Sequence, residues 1–401
     1  MKILIITNLF TPDFCGGAAQ FTDLALGLKE RGHDVCVYAA YPYYPEWKQK
    51  AAKRFFSVGF EDLDGVKVVR HGLYVPTNPS SLIQRLCFEL SFTVVLCRSL
   101  FRQPKADVTI VFCPPLGSIL YGCLRRLFRS EKLWFNIQDI PTDASLASGI
   151  AKNGLFSSIA ASLQSFLFRR ADAVTTISPS MQNRLQEILG NDRVVGICPN
   201  WLISNFDLIP KTIPSERVVG CNQPIKLLYC GNIGRKQGLL EFCQAIQKTD
   251  AAFHFTIRGE GAAKNDLDEW FSIIKDHRFS TLGFLPDEEF VSAISDADLF
   301  VITEKPNAGF SFIPSKLIPA ISLGTPLFVI SDSASPLGQE CEENALGLHL
   351  TWDDIETVTD RLASITTSDL MMWSRSCVDR AVFYTRDTAL DRYEAELKGL
   401  L

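Results

Sequence analysis

The residues of this chain best suited to holding an anion lie at two places in its second half. Ser315 and Lys316 stand at the start of the stretch PSKLIPAISLG, which follows the unbroken apolar run Leu299 to Ile302. Such a run reads as a strand buried on both faces of a parallel sheet. Arg235 and Lys236 sit in the glycine-rich loop CGNIGRKQGL, which follows a second buried run, Ile225 to Tyr229. In open α/β sheets, ligands bind beyond the carboxyl ends of strands, where the N–H groups of a following helix favour negative charge. Pro314 and Ser315 are expected to open a helix, with Lys316 in its first turn and Gly324 at its end. A cation in a first turn is unfavourable for the helix dipole. It becomes favourable if an anion lies between the two; a plain surface lysine on a βα turn is the alternative. Two such elements suit a diphosphate held by N–H groups and cations rather than by a bound metal. No GxxxxGK[ST] occurs, which excludes an adenylate P-loop.

The first half offers two further candidates. Gly16-Gly17 precede a helix expected from Gln20 to Lys29, between strands Lys2 to Thr7 and Val35 to Ala39. That is a βαβ unit in which backbone could approach a phosphate or a sugar. It lacks GxGxxG and an acidic residue after the second strand, so it is no dinucleotide fingerprint. Asp139 follows the strand run Leu133 to Ile137 and is a carboxylate where α/β folds gather catalytic groups; an N-cap is the alternative. Asp62-Leu63-Asp64 and Asp296-Ala297-Asp298 spell the DxD of metal-dependent sugar transferases. The first falls on a hairpin turn at Asp64-Gly65 and the second leads into a buried strand, so both read as structural.

A chain of 401 residues, 47% hydrophobic and 21% charged, is too long for one core and is expected to form two domains. The prolines and lost periodicity of residues 202–224 mark the linker. Charge divides with them. Residues 1–200 hold 22 Lys and Arg against 16 Asp and Glu, and the remainder is acidic, giving −5 overall. Three apolar segments in the basic half, 81–101, 118–129 and 155–170, carry arginines near their ends, including Arg85, Arg125, Arg126 and Arg129. They look like helices lying on an anionic membrane surface; core helices with solvated ends are the alternative. No signal peptide or membrane-spanning run is read, so a cytoplasmic protein, peripheral on the inner face of the membrane, is expected. The twelve scattered cysteines form no CxxC or Cys/His cluster and are expected to be free thiols.

The stretches TPDFCGGAAQFTDLALGLKERGHDV, YPYYP, CPPLG, WFNIQDIPTDA, ADAVTTIS, PNW, CGNIGRKQGL, RGEG, GFLP and PSKLIPAISLGTP occur in this order over nearly the whole chain. Together they resemble the retaining family 4 of the GT-B glycosyltransferases, in particular its colanic-acid and O-antigen branch. The resemblance implies two Rossmann-like α/β domains facing a central cleft. An acceptor domain would span 1–205 plus about 385–401, its last helix crossing back, and a donor domain 206–384. It implies a nucleotide-diphosphate-sugar donor, a UDP-sugar in preference to a GDP-sugar, and a lipid-linked or oligosaccharide acceptor of surface polysaccharide synthesis. No cofactor, metal or nucleic acid is implied. Carried onto this sequence, Lys316 with Arg235 or Lys236 would neutralise the diphosphate. Asn232, Gly234 and Ser315 would bring backbone to it, and Gly16 and Gly17 would close over it. Arg258, Glu260, Gly261, Phe284 and Leu285 would line the nucleotide pocket, and Asp139 would orient or deprotonate the acceptor hydroxyl. The chain departs from the family at Pro319 and Ser311, where two glutamates are usual. A non-catalytic subunit and a sugar-nucleotide hydrolase or epimerase are the other readings.

Overall fold

Each short apolar run that the sequence marks as a buried strand becomes a parallel strand. The computed structural model describes residues 1–13, 17–50, 55–79, 81–102, 105–142, 155–190, 192–203, 223–283, 287–306 and 314–401. The chain divides into two units, one of Met1–Ile203 with Arg386–Leu401 and one of Ser204–Thr385.

The first unit runs β1 (Lys2–Ile6), α1 (Ala18–Glu30), β2 (Asp34–Ala40), β3 (Val58–Leu63), β4 (Val66–His71), α2 (Leu82–Cys97) and β5 (Val108–Cys113). It continues with α3 (Leu116–Arg129), β6 (Lys132–Ile137), α4 (Leu155–Phe168), β7 (Ala173–Thr176), α5 (Pro179–Leu189) and β8 (Val195–Ile197). The sheet order is β3-β4-β2-β1-β5-β6-β7-β8. Among the described residues only the β3–β4 hairpin of this sheet is antiparallel. It turns at Asp64 and Gly65, both at positive φ (50° and 81°), with Asp62 Oδ1 accepting from Gly65 N–H at 3.0 Å. Asp62 therefore holds a turn, as its place in the sequence predicts.

The second unit runs β9 (Ile225–Cys230), α6 (Leu239–Ile246), β10 (Phe253–Arg258), α7 (Lys264–Ile274), β11 (Phe279–Leu282), α8 (Asp287–Asp296) and β12 (Leu299–Thr303). Then come α9 (Leu317–Ser322), β13 (Leu327–Ile330), α10 (Pro336–Glu343), β14 (Gly347–Leu350), α11 (Val358–Ala363) and α12 (Thr367–Ala381). Its wholly parallel sheet has the order β11-β10-β9-β12-β13-β14. Every residue of β12 and β13 is buried, which is why these strands read as unbroken apolar runs. Asp298 Oδ2 accepts from Lys226 N–H at 2.8 Å and ties the start of β12 to β9. That is the structural role expected of the second DxD.

The last helix, α13 (Arg386–Leu400), belongs to the first unit. Arg386 clamps Asp23 through both carboxylate oxygens at 3.0 Å, and Tyr393 is buried against Trp134 and Trp201. In both sheets the strand order reverses beside the first strand, between β1 and β5 and between β9 and β12. Those reversals are the switch points at which open α/β sheets bind ligands.

The apolar segments of the basic half form α2, α3 and α4, and one expectation about them fails. Arg125 does not face outward. Ser130 turns the chain back after α3 at a left-handed φ of 53°, which brings Glu131 beneath the helix. Arg125 Nε donates to Glu131 Oε2 at 2.7 Å, Nη2 pairs with Oε1, and both side chains are buried. Burial excludes Arg125 from any surface. Apolar side chains do face outward: Ile83, Leu86 and Leu90 on α2, Leu127 and Phe128 on α3, and Leu163 on α4 are all exposed.

Candidate functional site

The second unit's switch point is built by glycine. Beyond the sheet, β9 and β10 stay hydrogen-bonded: Gly231 N–H donates to the Arg258 carbonyl at 3.0 Å, and Ile233 N–H to that of Glu260 at 2.9 Å. This works only because Gly259, at φ 143°, carries no side chain; a Cβ there would lie 1.8 Å from the Gly231 carbonyl oxygen. The close crossing carries Asn232, Gly234, Arg235 and Lys236 over the carboxyl ends of the strands. Arg235 and Lys236 form a short 3₁₀ turn (Arg235–Gln237) and are exposed. Arg258, the last residue of β10, lies near enough to Cys230 for its charge to act on that thiol. Glu260 and Gly261 are exposed beside it.

The other wall comes from β12 and α9. Lys316 is not in the first turn of the helix but at the position before it, because α9 begins at Leu317. Its ammonium lies over the Tyr229 ring, 4.1 Å from the centroid, and forms no ion pair among the described residues. The side chain is wedged between that ring and the glycine loop, since a Cβ on Gly231 would be 3.8 Å from Lys316 Cδ. Burial lowers its pKa to about 8, against the opposing pull of Glu304. Glu304 follows β12 directly and is only 5% exposed. Its N–H donates to the Ile330 carbonyl at 2.8 Å, and its own carbonyl accepts from Trp352 Nε1 at 2.6 Å. Lys305 N–H donates to the Lys236 carbonyl at 2.8 Å, joining the two walls. Burial raises the Glu304 pKa to about 7, although Lys316 and Lys236 both pull it down.

Asn232, Gly234, Arg235, Lys236, Arg258, Glu260, Gly261, Ser315 and Lys316 thus gather at one end of one sheet, as the sequence predicts. Pro319 is the third residue of α9, where a missing N–H costs nothing because first-turn donors have no helical partner. Gly16, Phe284, Leu285 and Ser311 lie outside the described residues. Glu304 was missed, although the rule that singled out Asp139, a carboxylate just past a buried strand, applies equally to it.

Gly17 and Asp139 belong to the first unit. Gly17 caps α1, and a Cβ there would lie 2.4 Å from the Phe21 ring, which stacks on Phe112 at 4.0 Å. The glycine thus has a packing reason as well. Asp139 is half-buried two residues past β6. Burial first, then the charges of Glu89 and Asp139, push the Cys113 thiol well above its usual value. Beside it runs a polar chain the sequence did not reveal. Asn200 donates to Gln138 at 2.9 Å, Gln138 to Asn136 at 2.6 Å, and Asn136 to the Tyr393 hydroxyl at 3.0 Å.

Known proteins share this plan. Residues 16–201 match the family described as glycosyl transferase 4-like domain, and residues 224–367 match glycosyl transferases group 1. The putative colanic acid biosynthesis glycosyl transferase WcaI of Escherichia coli K12 is 29% identical over 363 residues, covering 85% of this chain and 86% of that one. Among solved structures, sucrose-phosphate synthase of Thermosynechococcus elongatus superposes with a TM-score of 0.71 at 14% identity, covering 100% of this chain and 98% of the other. HepE of Anabaena, in complex with UDP, superposes with a TM-score of 0.68 at 15% identity, each chain covered over 100%. Two family matches in tandem, on two Rossmann-like units with these glycine loops, make the chain a member of the family 4 GT-B glycosyltransferases.

Proposed function

We propose that the chain transfers a sugar, with retention, from a UDP-sugar to a lipid-linked or oligosaccharide acceptor in surface polysaccharide assembly. The observation that carries this reading is Lys316, an ammonium fixed on Tyr229 at the switch point of the second unit and without an ion pair among the described residues, with Arg235, Lys236 and Arg258 past the carboxyl ends of the same sheet. Diphosphate bound there gains charge as the sugar leaves, and fixed cations stabilise that charge more in the transition state than before it. The bond from the sugar's anomeric carbon to the phosphate oxygen breaks, and the acceptor oxygen bonds to that carbon on the same face. The acceptor proton passes to the leaving phosphate, while Asp139 orients the hydroxyl. UDP in HepE supports a uridine donor, and the name of WcaI supports a polysaccharide product.

The test compares donor hydrolysis and sugar transfer over UDP- and GDP-sugars, with and without a lipid-linked acceptor. Transfer should require the acceptor, should leave the anomeric configuration unchanged, and should persist in EDTA, since Asp62 and Asp298 are occupied in backbone contacts. Acceptor-independent hydrolysis alone would turn the reading to a hydrolase. Donor binding without turnover would turn it to a non-catalytic subunit.

The same reading places the first unit on the anionic inner face of the cytoplasmic membrane. No helix among the described residues is long and apolar enough to cross a membrane. The neighbouring α2, α3 and α4 instead present exposed apolar side chains, Ile83 and Leu127 at 73% exposure each. Exposed Arg85, Arg98, Arg169 and Arg170 stand among them. Burying one such side chain in a bilayer contributes about 1.5–3 kcal/mol. Ile83→Glu with Leu127→Glu should therefore cut binding to phosphatidylserine vesicles by roughly a hundredfold or more and leave the melting temperature unchanged. Native binding should fall partly, not wholly, with salt. Equal vesicle binding by the variant would sink the docking face.

A further inference from the structure

Glu304 has features that the placement of Lys316 does not explain. It is buried at the carboxyl end of β12, and among the described residues its Oε2 has no hydrogen-bond partner, nor has the neighbouring Thr303 Oγ1. An unpartnered buried carboxylate costs at least as much as a lost hydrogen bond, and such groups persist where a ligand completes them. Lys316 is close enough for its charge to act on Glu304, yet the two form no ion pair. A cation and a carboxylate that share a site without closing on each other leave room for a group that serves both. A bare phosphate accepts from Lys316 but is repelled by Glu304. A phosphate joined to a hydroxylated ring satisfies both at once, because its hydroxyl donates to the carboxylate.

We infer that Glu304 is a donor-reading residue: its carboxylate accepts a hydrogen bond from a hydroxyl of the nucleotide sugar whose diphosphate lies on Lys316. This rests on the reading of the second unit as the donor site. The hydroxyl belongs either to the ribose or to the transferred sugar, and the experiment separates the two.

The full chain and Glu304→Gln are titrated calorimetrically with inorganic pyrophosphate, UDP, 2′-deoxy-UDP, 3′-deoxy-UDP and UDP-glucose. Gln keeps the shape but removes the charge. The variant should bind pyrophosphate as well as the native chain or better. If the ribose is read, UDP should bind the variant about tenfold more weakly, and one deoxy-UDP should bind both proteins alike. If the transferred sugar is read, UDP should be unaffected and only UDP-glucose should lose affinity. An equal change on pyrophosphate and on every nucleotide makes Glu304 a mere counter-charge and overturns the inference, as does no change on any ligand. In both cases native UDP binding leaves the donor site standing. A native chain that binds neither pyrophosphate nor UDP overturns both.

Discussion

Lys316→Ala should weaken UDP binding by about 1.5–3 kcal/mol, roughly 10- to 150-fold, the scale of a hydrogen bond to a charged group. The effect should be large because the ammonium is held in place before any ligand arrives. The Tyr229 face fixes it at 4.1 Å, so little freedom is lost on binding. Arginine should not rescue it: a planar fork does not fit a place shaped for a compact ammonium between a ring and a glycine loop. The same burial gives the site a pH dependence of definite sign. Desolvation brings Lys316 from its ordinary 10.5 down to about 8, with Glu304 and Cys230 opposing the fall. Below that value the ammonium is charged and binds diphosphate; above it the neutral amine does not. UDP affinity should therefore drop as pH rises from 7 to 9.5, and that drop should vanish in Lys316→Ala. Bound diphosphate raises the pKa again, so the midpoint in the complex should lie higher than in the free protein. Calorimetry at three pH values decides it, and a flat native profile with an unchanged alanine variant would remove Lys316 from the site.

The largest loss of stability should come from Glu131→Ala, a residue far from any ligand. Glu131 holds Arg125 through two hydrogen bonds and also accepts from Thr109 Oγ1 at 2.6 Å and Ala106 N–H at 3.0 Å. Removing it leaves a guanidinium buried and uncompensated, at a cost of about 3–5 kcal/mol. Arg126→Ala, five residues away in a pair with Asp172, removes a side chain that is 40% exposed and should cost about 1 kcal/mol or less. Urea unfolding followed by tryptophan fluorescence of the first unit compares the two. Similar midpoints would show that Arg125 reaches water in solution. The contrast also decides which arginines can probe membrane docking: Arg126 can, and Arg125 cannot.

The parallel strands were legible because residues buried on both faces leave an unbroken apolar run, as in Leu299 to Ile302. The gathering of Arg235, Arg258 and Lys316 was legible too, since parallel strands place every following loop at the same end of the sheet. Helix limits were read less well. The helix expected to open at Pro314 and Ser315 begins instead at Leu317, which leaves Lys316 at the position before it. Arg125 was misread because its partner is supplied by a left-handed turn at Ser130, and no periodicity shows that. Glu304 escaped because its significance lies in a missing partner, and a sequence does not display which neighbours fail to meet.

Helix α13 also bears on how the protein is made. It supplies Tyr393 and Leu397 to the interior of the first unit, and its Arg386, Asp391 and Glu394 hold Asp23, Arg31 and His33. The ribosome releases those residues only after the whole second unit has emerged. The half of the molecule that begins synthesis must therefore wait, with Trp134 and Trp201 uncovered on one side of its sheet, while the later half is already free to fold. A nascent chain stalled just short of residue 386 should expose that aromatic surface and recruit chaperones, and one extended past residue 401 should not.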